Sequence, residues 1–191
     1  MKKLKFTREQ KQKLLLTARL TIHKHLNEKF NKDFPDLSDE IFSEKYGMFV
    51  TLTIRGRLRG CIGYVEGIKP IREAVKDLAL QSAFKDPRFY PLTLEEFKNI
   101  MIEISILYPL EEVKNIEEIE VGKHGIVMER GYSKGLLLPQ VATEYGWNRE
   151  EFLNQTCRKA GMEAFCWENG AKVYKFEAEV FGEEDFTNQK D

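Results

Sequence analysis

The stretch MFVTLTIRGRLRGCIGY, residues 48–64, predicts a β-hairpin from which the rest of the fold can be built outward. Its first half alternates apolar Met48, Val50, Leu52 and Ile54 with residues that include two threonines. A period of two residues is typical of a strand that is buried on one face only. The second half, LRGCIGY, carries a cysteine with small neighbours and an arginine nearby, which makes it the first place to look for a functional site.

The segment Arg55-Gly56-Arg57 allows two ways of pairing the strands. A two-residue loop pairs Val50 with Cys61 and puts arginines on the apolar face. A three-residue loop with a left-handed Gly56 shifts the register by one residue. We favour the second, because it gathers the apolar residues (Leu58 included) on one face and leaves Arg59 and Cys61 on the other, beside Thr51 and Thr53.

Cys61 is the leading candidate for chemistry in this segment. A thiol reacts as thiolate, and a cation such as Arg59, two residues away on the same face, would lower its pKa. Gly60 and Gly63 would let a ligand approach the backbone closely. The competing interpretation is a small cysteine packed in a bent strand, and the residues alone leave both open.

Three further residues are candidates for the same site. His124 precedes a predicted strand and is the possible base of a Cys–His pair with Cys61. Arg88, in the turn DPRF, would hold an anionic substrate group, or else pair with a nearby acid. Gln140 follows a predicted strand, where it would either reach a cleft or cap the turn. The histidine spacing predicts no metal site.

Composition excludes several other classes of protein. Thirty lysines and arginines against 31 acidic residues leave a formal net charge of -1, so nucleic-acid binding is not expected. No stretch is long and apolar enough for a signal peptide or a membrane span. The three cysteines predict reduced thiols and a cytoplasmic location. No nucleotide-binding fingerprint is present, and we predict no cofactor.

The order of predicted elements indicates an α+β fold with mainly antiparallel sheet flanked by helices. Amphipathic helices are expected over residues 7–30, after Pro70, and from Asn148 to Gly161. Strands are expected near residues 100–107, 126–129, 135–138 and 173–181. We treat residues 1–191 as one domain.

Several motifs, taken together, resemble the AMMECR domain family, including its prokaryotic AmmeMemoRadiSam system protein A members. The motifs are GMFVTL (47–52), LRGCIG (58–63), DPRFYPL (86–92), IEIS (102–105), HGI (124–126), GLLLPQVA (135–142), GW (146–147) and KAG (159–161). They span about residues 46–182, which is most of the chain.

The resemblance implies two lobes that share a cleft, the larger being assembled from both halves of the chain, with LRGCIG lining the cleft. It also implies association with a Memo-like protein and a radical-SAM enzyme. It does not imply a particular reaction. A small-molecule or catalytic site centred on Cys61 and Arg59, and a non-enzymatic module that docks a protein, are both compatible with it.

Overall fold

The computed structural model describes residues 4–27 and 29–187, which fall into two compact units. The first unit contains the described residues of Met1–Ile106 and Glu179–Asp191, and the second is Leu107–Ala178. The helices are α1 (Arg8–Leu26), α2 (Ile71–Phe84), α3 (Leu94–Phe97), α4 (Pro139–Glu144), α5 (Arg149–Lys159) and α6 (Glu184–Thr187), with 3₁₀ turns at Glu40–Ser43 and Ile116–Glu118. The strands are β1 (Gly47–Ile54), β2 (Arg57–Tyr64), β3 (Ile100–Leu107), β4 (Glu111–Glu112), β5 (His124–Arg130), β6 (Ser133–Leu137) and β7 (Lys172–Gly182).

This mixture of helices and antiparallel strand pairs confirms the predicted α+β class. In the first unit, β1 lies between β2 and β3, so that β2 is at the edge. In the second unit, β5 lies between β6 and β7, and β4 pairs with β7. None of the helices within residues 4–27 and 29–187 combines the length and apolar character needed to cross a membrane.

Helix α1 starts at a capping box that its sequence encodes. The Gln10 N–H donates to Thr7 Oγ1 at 3.2 Å, and the Gln10 side chain accepts the Thr7 N–H at 3.0 Å. This satisfies two of the donors that a helix start leaves unpaired. The helix ends at Leu26, earlier than the predicted Phe30, because Asn27 already has extended backbone angles.

In the hairpin of β1 and β2, the pairing predicted for Cys61 is present, but the loop that joins the strands differs from the predicted one. Thr51 pairs with Cys61, as predicted. The predicted three-residue loop is wrong, because Arg55 and Gly56 form a two-residue turn with φ of 52° and 73°. A bulge at Arg59 supplies the register shift instead, since Leu52 pairs with Gly60 and Thr53 with Leu58.

One consequence of the bulge is that Leu58 does not join the apolar face. It pairs with Thr53, and 43% of its surface is exposed. Val50 and Leu52 of β1, by contrast, are fully buried. The buried face of α2, rich in alanine, packs on the hairpin.

The core of the second unit contains a disulfide that the composition did not predict. Cys157, on the buried face of α5, is bonded to Cys166, and both are inaccessible to solvent. The expectation that all three thiols are reduced is therefore wrong. Phe152 and Leu153 of the same helix complete this part of the core.

Candidate functional site

Cys61 is the free cysteine of the part of the chain that the structure describes. It is half-buried on β2, and Thr51 Oγ1 lies 3.2 Å from its Sγ as a hydrogen-bond donor. Its neighbour Gly60 faces α2, so the alternation of a strand places the Cys61 side chain on the opposite face of the sheet. The thiol is therefore held by a cross-strand hydroxyl and is partly open to solvent.

The main chain of Cys61 is held by the DPR turn that follows α2. Its N–H donates to Asp86 Oδ2 at 2.9 Å, and its carbonyl oxygen accepts from Arg88 Nη2 at 3.3 Å. The side chains of Asp86 and Arg88 also bind each other through two hydrogen bonds of 2.9 and 2.6 Å. Because β2 is an edge strand, this ion pair, which we call the Asp86–Arg88 clamp, replaces the neighbouring strand at Cys61.

The pKa of the Cys61 thiol is raised, chiefly by burial. The Thr51 hydrogen bond and the charge of Arg88 lower it, while Asp86 and Glu103 raise it. Arg88 acts weakly because it is already paired with Asp86, whose own pKa that pairing lowers to about 2. The thiol is therefore protonated at neutral pH, and the expected lowering of its pKa is contradicted.

Arg59 has a different environment from the one predicted. Its Nε and Nη2 each donate to the Glu96 carboxylate at 2.9 Å, and Nη2 also donates to the carbonyl of Tyr90 at 2.9 Å. The guanidinium carbon lies 5.6 Å from the centre of the Phe89 ring. Arg59 lowers the pKa of Glu96 to about 2, whereas the charges that act on the thiol are those of Arg88, Asp86 and Glu103.

The two glycines beside Cys61 are required by packing. A Cβ atom on Gly60 would lie 2.1 Å from the carbonyl oxygen of Ser82, which shows how closely α2 approaches β2. A Cβ on Gly63 would lie 2.3 Å from the Phe49 ring. The space expected for a ligand at these glycines is therefore occupied by the protein itself, and the small residues serve close packing.

His124 and Gln140 belong to the second unit. His124 is buried, its Nδ1 accepts the Glu120 N–H at 3.0 Å, and burial followed by the charges of Lys123 and Lys175 lowers its pKa. That hydrogen bond puts the proton of the neutral ring on Nε2 and occupies the lone pair a base would use. Gln140 is the second residue of α4, and its carbonyl oxygen accepts from Thr143 Oγ1. The Cys61–His124 pair and the shared cleft stay predictions.

Two side chains at this end of the first unit were missed by sequence reasoning. Glu96, the partner of Arg59, follows Thr93 in the spacing of a capping box, and this pattern could have identified it. Ser82 accepts the Ile62 N–H and donates to the Val50 carbonyl, and no sequence pattern signals that role. Within residues 4–27 and 29–187, no group of three or more His, Cys, Asp or Glu side chains could hold a metal ion.

Comparison with known proteins places this arrangement in a family. The sequence profile of the AMMECR1 family matches residues 15–181. A protein of Methanothermobacter thermautotrophicus is 43% identical over 96% of this chain and all of its own, and Protein MJ0810 of Methanocaldococcus jannaschii is 47% identical over 75% of this chain and 76% of its own.

The fold is also similar to a solved structure. The crystal structure of uncharacterized protein PH0010 from Pyrococcus horikoshii matches with a TM-score of 0.83 and 42% identity, covering 90% of each chain. The names of these three proteins state no activity, so the comparisons concern descent and fold. The chain belongs to the AMMECR1 family.

Proposed function

We propose that the face of the first unit around Cys61 binds a small polar molecule, with the protonated thiol as a contact and not as a nucleophile. The observation that carries this proposal is the double hold on Cys61: the Asp86–Arg88 clamp fixes its main chain, while Thr51 orients its thiol. A rigid main chain with a partly open polar side chain is the arrangement that a preorganised binding site requires.

The groups around the thiol indicate the chemistry of the ligand. Glu103 is half-buried on β3 and acts electrostatically on Cys61, so a carboxylate lies in the surroundings of the thiol. The Arg88 side chain is 47% exposed, which leaves part of its guanidinium able to donate to a ligand. Thiol, hydroxyl, carboxylate and guanidinium together suit a molecule with both donors and acceptors. The proposed site is confined to the first unit.

The wider setting of this activity follows the family resemblance. We place the protein in the cytoplasm and retain a Memo-like protein and a radical-SAM enzyme as its proposed partners. A buried disulfide such as Cys157–Cys166 is uncommon in cytoplasmic proteins, except in those of hyperthermophiles.

Protection of Cys61 from alkylation tests the proposal. The native protein is labelled with iodoacetamide at fixed pH under three conditions. The conditions are no addition, the part of a thiol-depleted cell extract below about 1 kDa, and the remaining macromolecular part of that extract. We expect the low-mass extract to slow the labelling of Cys61 several-fold when the ligand concentration is well above its dissociation constant, because an occupied site excludes the reagent. Fractionation of the extract and mass spectrometry of the fraction that protects Cys61 then identify the ligand.

Two controls make the result specific. A Cys61→Ala variant measures labelling elsewhere, and the expected background is small because the other two cysteines are buried and bonded to each other. A Thr51→Val variant keeps the shape of the strand while removing the hydroxyl, and should reduce protection. If only the macromolecular fraction protects Cys61, the interaction-module alternative replaces the small-molecule site.

A further inference from the structure

A groove whose lining does not include Cys61 lies at the turn of the β1–β2 hairpin. The groove has a volume of about 670 Å³ and separates the turn from the segment that carries α3. It is lined by Ile54, Arg55, Arg57, Leu58, Arg59, Thr93, Glu95, Glu96 and Asn99. Its size is that of a small-molecule site, and its lining combines charged side chains with an apolar strip formed by Ile54 and Leu58.

Arg59, which lines this groove, has an unused hydrogen-bond donor. Its side chain is only 11% exposed, and its Nη1 is buried without a hydrogen-bond partner among the residues that the structure describes. Nε and Nη2 are already committed to Glu96 and to the Tyr90 carbonyl. A buried cationic N–H group without an acceptor is costly, and each such group in a native structure calls for an explanation.

The charge of the groove favours an anion. Three arginines within five residues, Arg55, Arg57 and Arg59, line it against Glu95 and Glu96. Glu96 is ionised, since its pKa falls to about 2, but its ion pair with Arg59 offsets that negative charge. Arg55 and Arg57 are exposed, and they remain available to compensate a negative ligand.

The backbone that carries these arginines is irregular at two positions. Arg55 has a left-handed backbone with φ of 52°, and the bulge at Arg59 changes the direction of β2. A non-glycine residue in that conformation carries strain, and such strain clusters at ligand sites. The bulge also separates Arg59 from Cys61, so this groove and the thiol site are distinct features of one strand.

From these observations we infer that the groove binds the phosphate group of a small phosphorylated molecule. Arg57 and Arg55 supply charge from the solvent side, and a turn of the Arg59 guanidinium toward the groove brings its free Nη1 within reach of a phosphate oxygen. The exposed Leu58 and neighbouring Ile54 contact the apolar part of the ligand. A tetrahedral dianion with several acceptor oxygens matches arginines that approach from different directions, whereas a carboxylate matches a single arginine fork.

Calorimetric titration at constant ionic strength tests this inference with phenyl phosphate, benzoate and benzyl alcohol. These probes share a ring and differ in carrying a phosphate, a carboxylate or no charge. We expect phenyl phosphate to bind at least tenfold more tightly than benzoate and benzyl alcohol not to bind measurably. Equal affinity for phenyl phosphate and benzoate would overturn the assignment to phosphate.

Matched variants locate the binding. Arg57→Ala removes an exposed side chain and should weaken phenyl phosphate binding about tenfold without affecting folding. Arg59→Lys retains the charge but removes the guanidinium fork, and should weaken binding to a similar extent. Arg158→Ala, an exposed arginine on α5, makes the same change in net charge and should leave affinity unchanged. Absence of phenyl phosphate binding, or equal losses in Arg57→Ala and Arg158→Ala, would overturn the inference.

Discussion

Replacement of Gly60 by alanine is expected to destabilise the protein by about 3 kcal/mol or more, the upper range for overpacking. The added Cβ would lie 2.1 Å from the Ser82 carbonyl oxygen and 3.1 Å from its carbonyl carbon. Both are backbone atoms of α2, which cannot rotate away as a flexible side chain can. The helix and the strand would have to separate, and the buried interface between them would loosen. Urea unfolding at pH 7 measures the loss of free energy.

Gly182 provides the matched control, because it is also a strand glycine of the first unit. A Cβ there would meet its nearest atom, the Ile102 carbonyl oxygen, at 3.5 Å, an ordinary contact. Gly182→Ala should therefore change the free energy of unfolding by no more than about 1 kcal/mol, and in the stabilising direction if the unfolded chain loses entropy. Equal losses in the two variants would show that the close approach of α2 to Gly60 is not what makes glycine necessary.

The second large effect is expected for Asp86→Asn, which should cost about 3 kcal/mol at pH 7. The Asp86 side chain is 2% exposed and accepts from both Arg88 and the Cys61 N–H. An amide keeps the shape but loses the charge and turns a donor group toward Arg88. Arg88 is itself partly exposed, and its hydration keeps the cost near the lower end for a broken buried pair.

The Asp86–Arg88 pair also predicts how the free energy of unfolding depends on pH. The folded-state pKa of Asp86, about 2, lies below the ordinary value of 3.8, so its contribution is complete above pH 4 and is lost as the pH falls through 2. That contribution is about 2 kcal/mol, from roughly 1.4 kcal/mol per pKa unit.

Urea unfolding of wild type and Asp86→Asn should therefore differ most at neutral pH and converge toward pH 2. Asp33→Asn, an exposed acid in the same unit, controls for the change in net charge. A difference between wild type and Asp86→Asn that is constant with pH would contradict the ionised clamp.

Hydrophobic alternation was enough to predict the pairing of Thr51 with Cys61, because only that register separates apolar from polar residues. The way in which the chain achieves it was not predictable. A two-residue turn requires Arg55 in a left-handed conformation, which local propensity disfavours for a residue with a side chain. The compensation comes from elsewhere in the fold, where α2 fixes Gly60 against Ser82 and the bulge at Arg59 absorbs the extra residue.

The candidate site, too, was predictable from the sequence only in part. Its residue types were visible in the sequence, but their partners depend on contacts that join distant segments. Arg59 and Cys61 are two residues apart, and a regular strand would place them on one face. The bulge instead directs Arg59 to Glu96, and Arg88 becomes the arginine that acts on the thiol. Burial then outweighs the cation, which reverses the predicted direction of the thiol pKa.

The measurement that tests the account most directly is the pH dependence of Cys61 alkylation in the ligand-free native protein, with Cys61→Ala as background. We expect the rate to reach half its maximum above the ordinary thiol value of about 8.5, because burial raises the pKa of the Cys61 thiol. A midpoint below that value would mean that Arg88 or another cation activates Cys61. It would then be a nucleophile, and the binding site proposed here would be the active site of a thiol enzyme.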